Sequence, residues 1–240
     1  MKKIKSVRYE KTAAESYPNG TGNIVSEKQS EYGCNNSFLI PFLEREDLLP
    51  GEKTSIGNYQ DIHFWNNQKR DWSFEIPENW INKSWCYMIN SYCRNPGFKK
   101  LTTAGERKEI EFNIQNIDNA ISKSETDKEY TLFKGLDNID WLNKIETNGT
   151  YIEKAFGSYS LKIENALKYT NPNNPILFRL KHKKKKRALY IDKAEHEVLL
   201  PRNINCKIKE TENSFLPISS IINKTTEKEI IVFDVKILEK

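Results

Sequence analysis

The sequence predicts an α+β fold with its helices first and its strands after them. Two stretches with helical apolar spacing occupy the middle of the chain. Beyond Thr126 the pattern changes to short runs of strand-forming residues divided by turns. Helix and strand do not alternate as they would in a parallel βαβ sheet.

The 240 residues suit one domain with an extension, or two small domains. A hydrophobic share of 37% separates the chain from disordered sequences, and eleven Tyr, eleven Phe and five Trp supply aromatic area for a core. Residues 1–32 read as a loosely ordered arm, with turn signals at Pro18-Asn19-Gly20 and Gly22. Residues 33–76 hold short apolar pieces such as Phe38-Leu39-Ile40, and no role is legible there. We therefore divide the chain into an extension, 1–76, and a main domain, 77–240.

Pro77-Glu78-Asn79-Trp80 reads as a helix start. Trp80, Ile81, Trp85, Met88, Ile89 and Tyr92 then fall at helical spacing until Asn95-Pro96-Gly97 ends the run. A second helix is expected over Gly105–Ser124, where Ile110, Ile114, Ile117 and Ile121 are spaced four, three and four. Strands are expected at Tyr130–Phe133, Ile176–Leu180, Ala188–Ile191, Val198–Leu200, Ile204–Ile208 and Ile230–Leu238. A short helical piece runs through Tyr169, and Pro172-Asn173-Asn174-Pro175 is a loop.

The net charge is +5, yet seven positive charges sit in Arg179–Arg187, so the remainder carries −2. The body is near neutral with one basic tract. No aromatic interleaves that tract to stack bases, which argues against nucleic acid. Its place between two strands suggests a solvated hairpin tip. Cys34, Cys86, Cys93 and Cys206 form no CxxC pair, so a metal site is not expected and free thiols are. The start, MKKIKSVRYEKTAAES, lacks the apolar run of a signal peptide. No stretch approaches the roughly 18 apolar residues of a membrane span. A soluble protein, cytoplasmic when made, is the expectation.

Three segments stand in a telling order: Leu132-Phe133-Lys134-Gly135-Leu136, Phe156-Gly157-Ser158-Tyr159-Ser160-Leu161, and Ala194-Glu195-His196-Glu197-Val198-Leu199-Leu200-Pro201. Together they resemble the Arg–Ser–Glu class of the ADP-ribosyltransferase exoenzyme family, whose members read YRGL, then F-x-STS, then E-x-E-x-LL. Each piece alone is a weak signal; the order, with an apolar run after the E-x-E, is a stronger one. The resemblance covers roughly residues 78 to 240. It implies a helical lobe packed on two facing, mostly antiparallel sheets with an NAD cleft between them.

The resemblance also implies roles. The reaction breaks the bond between nicotinamide and ribose in NAD, through an oxocarbenium-like transition state as in glycoside hydrolysis. Glu197 matches the glutamate that stabilises the developing positive charge and holds a ribose hydroxyl. Glu195 matches the base that relieves a protonated guanidinium acceptor of its proton. Residues two apart in a strand share a face, so both carboxylates reach one cleft. Ser158 matches the serine that orients Glu197 and meets NAD, while Ser160 supports the turn. Tyr159 replaces a Thr, which is tolerable where that side chain points away from NAD. Lys134 stands where the family has an Arg for NAD phosphate, and a Lys gives one point contact where an Arg gives a fork. Gly135 allows a tight turn or close approach to the ligand. Tyr87, Asn90 and Arg94 resemble the NAD-binding helix of the family's helical lobe. His196 is expected to point away from the glutamates into solvent, and His63 to pack beside Phe64 and Trp65.

The reading is a protein-arginine mono-ADP-ribosyltransferase with NAD as substrate and a target protein presenting an arginine as partner. E-x-E rather than Q-x-E favours arginine over asparagine. Rivals are an NAD glycohydrolase, and a transferase fold that has lost activity and serves as a binding module.

Overall fold

The computed structural model describes residues 7–8, 41–60, 85–136, 149–171, 175–219 and 225–239. The expectations for His63, for the first helical residues before Trp85 and for most of the N-terminal arm lie outside these.

Three helices form one lobe: α1 Pro50–Gln60, α2 Trp85–Arg94 and α3 Ala104–Ser122. Helical spacing sends Trp85, Met88, Ile89 and Tyr92 of α2, and Ile110, Ile114, Ile117 and Ile121 of α3, into a single core. Burying side chains of this size contributes roughly 1.5–3 kcal/mol each before ordering costs. Thr103 starts α3 with a capping box: its Oγ1 accepts from Glu106 N at 3.3 Å while the Glu106 carboxylate accepts from Thr103 N at 2.7 Å. The α1 helix lies in the stretch where no role was legible. Its Ile56 and Tyr59 join the same core, and its buried Glu52 takes a 2.8 Å ion pair from Lys123 just past α3.

The strands are β1 Val7–Arg8, β2 Tyr130–Leu136, β3 Thr150–Glu153, β4 Gly157–Ser160, β5 Ile176–His182, β6 Leu189–Asp192, β7 Glu197–Leu200, β8 Ile204–Ser219 and β9 Thr225–Ile237. They join in the order β1-β8-β9-β5-β2-β4-β7-β6, with β3 on β8. The β1–β8 and β5–β9 pairs are parallel and the rest antiparallel. One registered pair, Phe133 with Ser160, links β2 to β4. At that seam the ladder divides into two halves, β8-β9-β5-β2 and β4-β7-β6.

The halves face one another. Tyr159, Tyr190, Val198 and Leu200 from the smaller half share a core with Leu132, Ile176, Phe178, Leu180 and Val235 from the larger. Strand alternation explains how the smaller half serves two cores: Leu189, Ile191 and Leu199 turn the other way and pack under the helical lobe. A short helix, α4 Ile163–Leu167, covers the far face of the larger half through Ala166, against Phe133, Leu177 and Val232. The α+β architecture is as the sequence predicts. No helix among the described residues is long and apolar enough to cross a membrane.

The basic tract is not a hairpin tip. Strands β5 and β6 belong to different halves, so Lys183–Arg187 crosses between them. The crossing is fastened to the segment after α3: Thr126 Oγ1 donates to Lys183 O at 2.7 Å, Lys185 N donates to Thr126 O at 2.8 Å, and Lys185 is left-handed with φ 58°. Its lysines remain exposed, and Lys183 and Lys186 pair with Glu239 at 3.0 and 3.3 Å.

Candidate active site

Strand register places the first contact. Ser160 lies opposite Glu197 in the β4–β7 pair, and Ser158 lies two residues along the same face. The Ser158 hydroxyl donates to Glu197 Oε1 at 2.5 Å. Burial pushes the Glu197 carboxyl up to about 7; the Ser158 bond opposes that rise, and the negative charges of Glu195 and Asp192 add to it. Such a carboxyl changes charge near neutrality, the range in which acid–base groups are useful.

Glu195 does not share a strand with Glu197. Strand β7 begins at Glu197, and Glu195 belongs to the turn from β6. His196 is left-handed, with φ 51°, so strand alternation stops there. Its ring folds inward instead of reaching solvent, leaving 9% of the residue exposed with Nδ1 3.2 Å from the Tyr190 hydroxyl. Burial pushes its pKa down, so the imidazole is neutral at neutral pH.

The turn is held from behind. Ser160 Oγ donates to Glu195 O at 2.7 Å and accepts from Lys162 N at 3.0 Å, the supporting part expected of it. Leu161 N donates to His196 O at 3.0 Å, Asn165 Nδ2 to Ala194 O at 3.3 Å, and Ala194 N to Asp192 Oδ1 at 2.7 Å. The Glu195 side chain thus stands forward, where the Tyr169 hydroxyl lies 2.7 Å from both carboxylate oxygens. Tyr169 is half exposed and follows α4.

Gly135 has a part that differs from close approach to a ligand. A Cβ there would meet the Ala166 carbonyl oxygen at 2.1 Å and Tyr169 C at 3.0 Å. The bare backbone lets the end of α4 press onto β2, which sets the place of Tyr169. Tyr159 is buried in the core between the halves, so its replacement of a Thr leaves the Ser158 face unobstructed.

The residues of α2 sit beside this group. Tyr87, Asn90 and Arg94 are spaced i, i+3 and i+7, which places them on one helix face. Asn90 is buried; its Nδ2 donates to the Tyr59 hydroxyl at 2.8 Å and meets Cys86 Sγ at 3.4 Å, and its amide oxygen has no donor among the described residues. The Tyr59 ring packs edge-on against Phe156, just ahead of Gly157-Ser158. Tyr87 is partly exposed. Burial raises the Cys86 thiol to about 11, so it is an uncharged group here. Among the described residues no His, Cys, Asp or Glu cluster is arranged for a metal ion.

Arg94 and Lys134 come together on a residue the sequence left unremarked. Glu153 Oε1 accepts from Arg94 Nη2 at 3.1 Å and Nε at 3.2 Å, and Oε2 accepts from Lys134 Nζ at 3.2 Å. Two groups of contacts result, Glu197 with Ser158 and Glu195 with Tyr169 in one, Arg94 and Lys134 with Glu153 in the other, and Glu153 and Tyr169 are additions to the residues anticipated. Neither addition carries a linear signal: Glu153 lies in a plain strand and Tyr169 past a short helix.

The family model described as ADP-ribosyltransferase exoenzyme matches residues 82–239, and the chain belongs to that family of transferases. Among solved structures it is similar to the enzymatic component C2-I of the C2 toxin from Clostridium botulinum, at 19% identity and TM-score 0.52, over 80% of this chain and 44% of that one. It is also similar to C3stau2 from S. aureus, solved with NAD, at 18% identity and TM-score 0.51, over 89% of this chain and 95% of that one. At these identities the likeness is one of fold, and the chain spans less than half of C2-I. No curated protein matches the sequence.

Proposed function

We propose that the protein cleaves NAD and transfers its ADP-ribosyl group to an arginine of a target protein. The observation that carries this reading is the half-buried Glu197 carboxyl hydrogen-bonded by Ser158, with Glu195 two residues away on a rigidly backed turn. The residues suit NAD: Arg94 and Lys134 form a paired cationic donor set for a diphosphate, and the orphaned Asn90 amide oxygen is an available acceptor. NAD supplies the ribose–nicotinamide bond and nicotinamide as leaving group.

The protein's part is electrostatic and positional. Ser158 fixes the Glu197 carboxylate where positive charge grows on the ribose, and the shielded setting strengthens that attraction. Glu195 takes a proton from the incoming guanidinium, with Tyr169 holding its carboxylate in place until the acceptor arrives. The single Tyr169 hydroxyl shared between the two oxygens of Glu195 leaves lone pairs free for an acceptor, which is a guanidinium in the transfer reading and water in the glycohydrolase reading.

Nicotinamide release from NAD, measured with and without agmatine, tests both readings. Transfer predicts ADP-ribosyl-agmatine as product. Hydrolysis alone, unmoved by agmatine, would leave the glycohydrolase, and release of no nicotinamide under either condition would overturn both.

A further inference from the structure

Arg94, Lys134 and Glu153 belong to three separate elements: α2 of the helical lobe, β2 of the larger half-sheet, and the end of β3. Among the described residues the carboxylate of Glu153 joins them. Its side chain is 13% exposed, against 46% for Arg94 and 19% for Lys134. Ala155 N also donates to Oε1 at 3.2 Å, which pins the carboxylate from the chain just ahead of Ser158. Burial would raise this carboxyl, but Lys134 and then Arg94 hold it below the usual carboxylate range, so it is charged at neutral pH.

Without an anion between them, the two cations would repel one another. Glu153 prevents that by drawing Nε and Nη2 of Arg94 onto one oxygen and Nζ of Lys134 onto the other. Those are the donors a diphosphate would also need. The N–H groups turned toward Glu153 are turned away from a phosphate oxygen, and a dianion beside the half-buried carboxylate meets its repulsion. The triad presents a net charge of +1; uncharging Glu153 would make it +2.

We propose that Glu153 is a built-in competitor for the diphosphate of the dinucleotide: it occupies Arg94 and Lys134 in the free protein and surrenders them when the ligand binds. The proposal rests on the NAD reading given above for the ligand's identity, but its core, a diphosphate displacing a carboxylate, is separable from it. Glu153 is a specificity-determining residue that sets affinity downward. Both cations stay ordered, and the ligand must win them.

Calorimetric titration of NAD and of inorganic pyrophosphate into wild type, Glu153→Gln and Glu239→Gln tests this. Gln keeps an amide oxygen for Ala155 N and removes the charge. Glu239 makes a comparable two-lysine contact outside the site and is the control. The expected result is about tenfold tighter binding of both ligands to Glu153→Gln, with a steeper loss of affinity as salt rises, and no change in Glu239→Gln. A merely structural role for Glu153 would not steepen the salt dependence. If wild type binds NAD and Glu153→Gln binds it equally or more weakly, the competitor role is overturned and the NAD reading stands. If NAD binds neither protein while pyrophosphate binds Glu153→Gln more tightly, the competitor role stands and the NAD reading falls. If neither ligand binds either protein, both fall. A crystal structure of wild type with pyrophosphate decides the matter without any variant. Glu153 must have left hydrogen-bonding distance of Arg94 and Lys134; a carboxylate still bridging them overturns the proposal.

Discussion

Replacing Glu197 by Gln should stabilise the protein above neutral pH while removing its activity. The Glu197 carboxyl ionises at about 7 in the folded protein, against an ordinary value of 4.5. Between those values the folded state keeps a proton that the unfolded state has released, so stability falls as pH rises through that window. Below about pH 4.5 both states are protonated and the residue costs nothing. Above about pH 7 the full cost applies, at most roughly 3.4 kcal/mol for a rise from 4.5 to about 7 at about 1.36 kcal/mol per pKa unit. Gln is neutral throughout and accepts the Ser158 hydroxyl in the same way, so the variant escapes the cost. Urea denaturation of both proteins at pH 5 and pH 8 measures it. The stability gain of Glu197→Gln should be small at pH 5 and reach about 2–3 kcal/mol at pH 8, and nicotinamide release should fall by several powers of ten, on the order of 4 kcal/mol or more of barrier. In wild type, kcat/KM for nicotinamide release should climb as pH rises through 7, as the charged form appears. An equal stability difference at both pH values would refute the argument, because it would show that Glu197 carries no strained charge.

The other predictions follow from single contacts. Glu195→Gln should lose transfer to agmatine while keeping hydrolysis of NAD; equal loss of both would break the division of labour between the glutamates. Tyr169→Phe removes one hydroxyl from Glu195 and should change transfer to agmatine several-fold while leaving water-dependent nicotinamide release within about twofold, and a matching change in both would remove Tyr169 from the acceptor side. Gly135→Ala drives a methyl into the Ala166 carbonyl, so the protein should lose at least about 1–3 kcal/mol in a denaturation curve; wild-type stability would mean α4 is free to shift. Lys134→Ala should weaken NAD roughly 10- to 150-fold, and Lys134→Arg should tighten it by supplying a fork. Titration that is indifferent to Lys134→Ala would leave Arg94 to hold the phosphate.

Much of the fold was legible because its signals are local. The isoleucines of α3 and Trp85, Met88, Ile89 and Tyr92 of α2 repeat at helical spacing, and all of these are buried. Helix α1 escaped notice for a local reason too. Its sequence, PGEKTSIGNYQ, offers two glycines and only Ile56 and Tyr59 as large apolar residues, and tertiary packing makes it a helix. The three matching segments gave the family through their order along the chain, which needs no knowledge of contacts.

The site's geometry was decided by contacts that no spacing encodes. Strand alternation put Glu195 and His196 on opposite faces of a strand, but hydrogen bonds from Ser160, Leu161 and Asn165, far away in sequence, bend that segment into a turn and hold His196 at positive φ. A side chain's direction follows its backbone angles, and those angles are set here by partners some 30 residues away. The same holds for charge. Lys134 and Arg94 were visible as cations, whereas the carboxylate between them is brought there by β3 pairing with β8. By itself the sequence determined helices α2 and α3, their core-facing residues and the family, and it singled out the two glutamates. Only the tertiary structure decided which partner each glutamate meets, because burial and register act between residues distant in the chain.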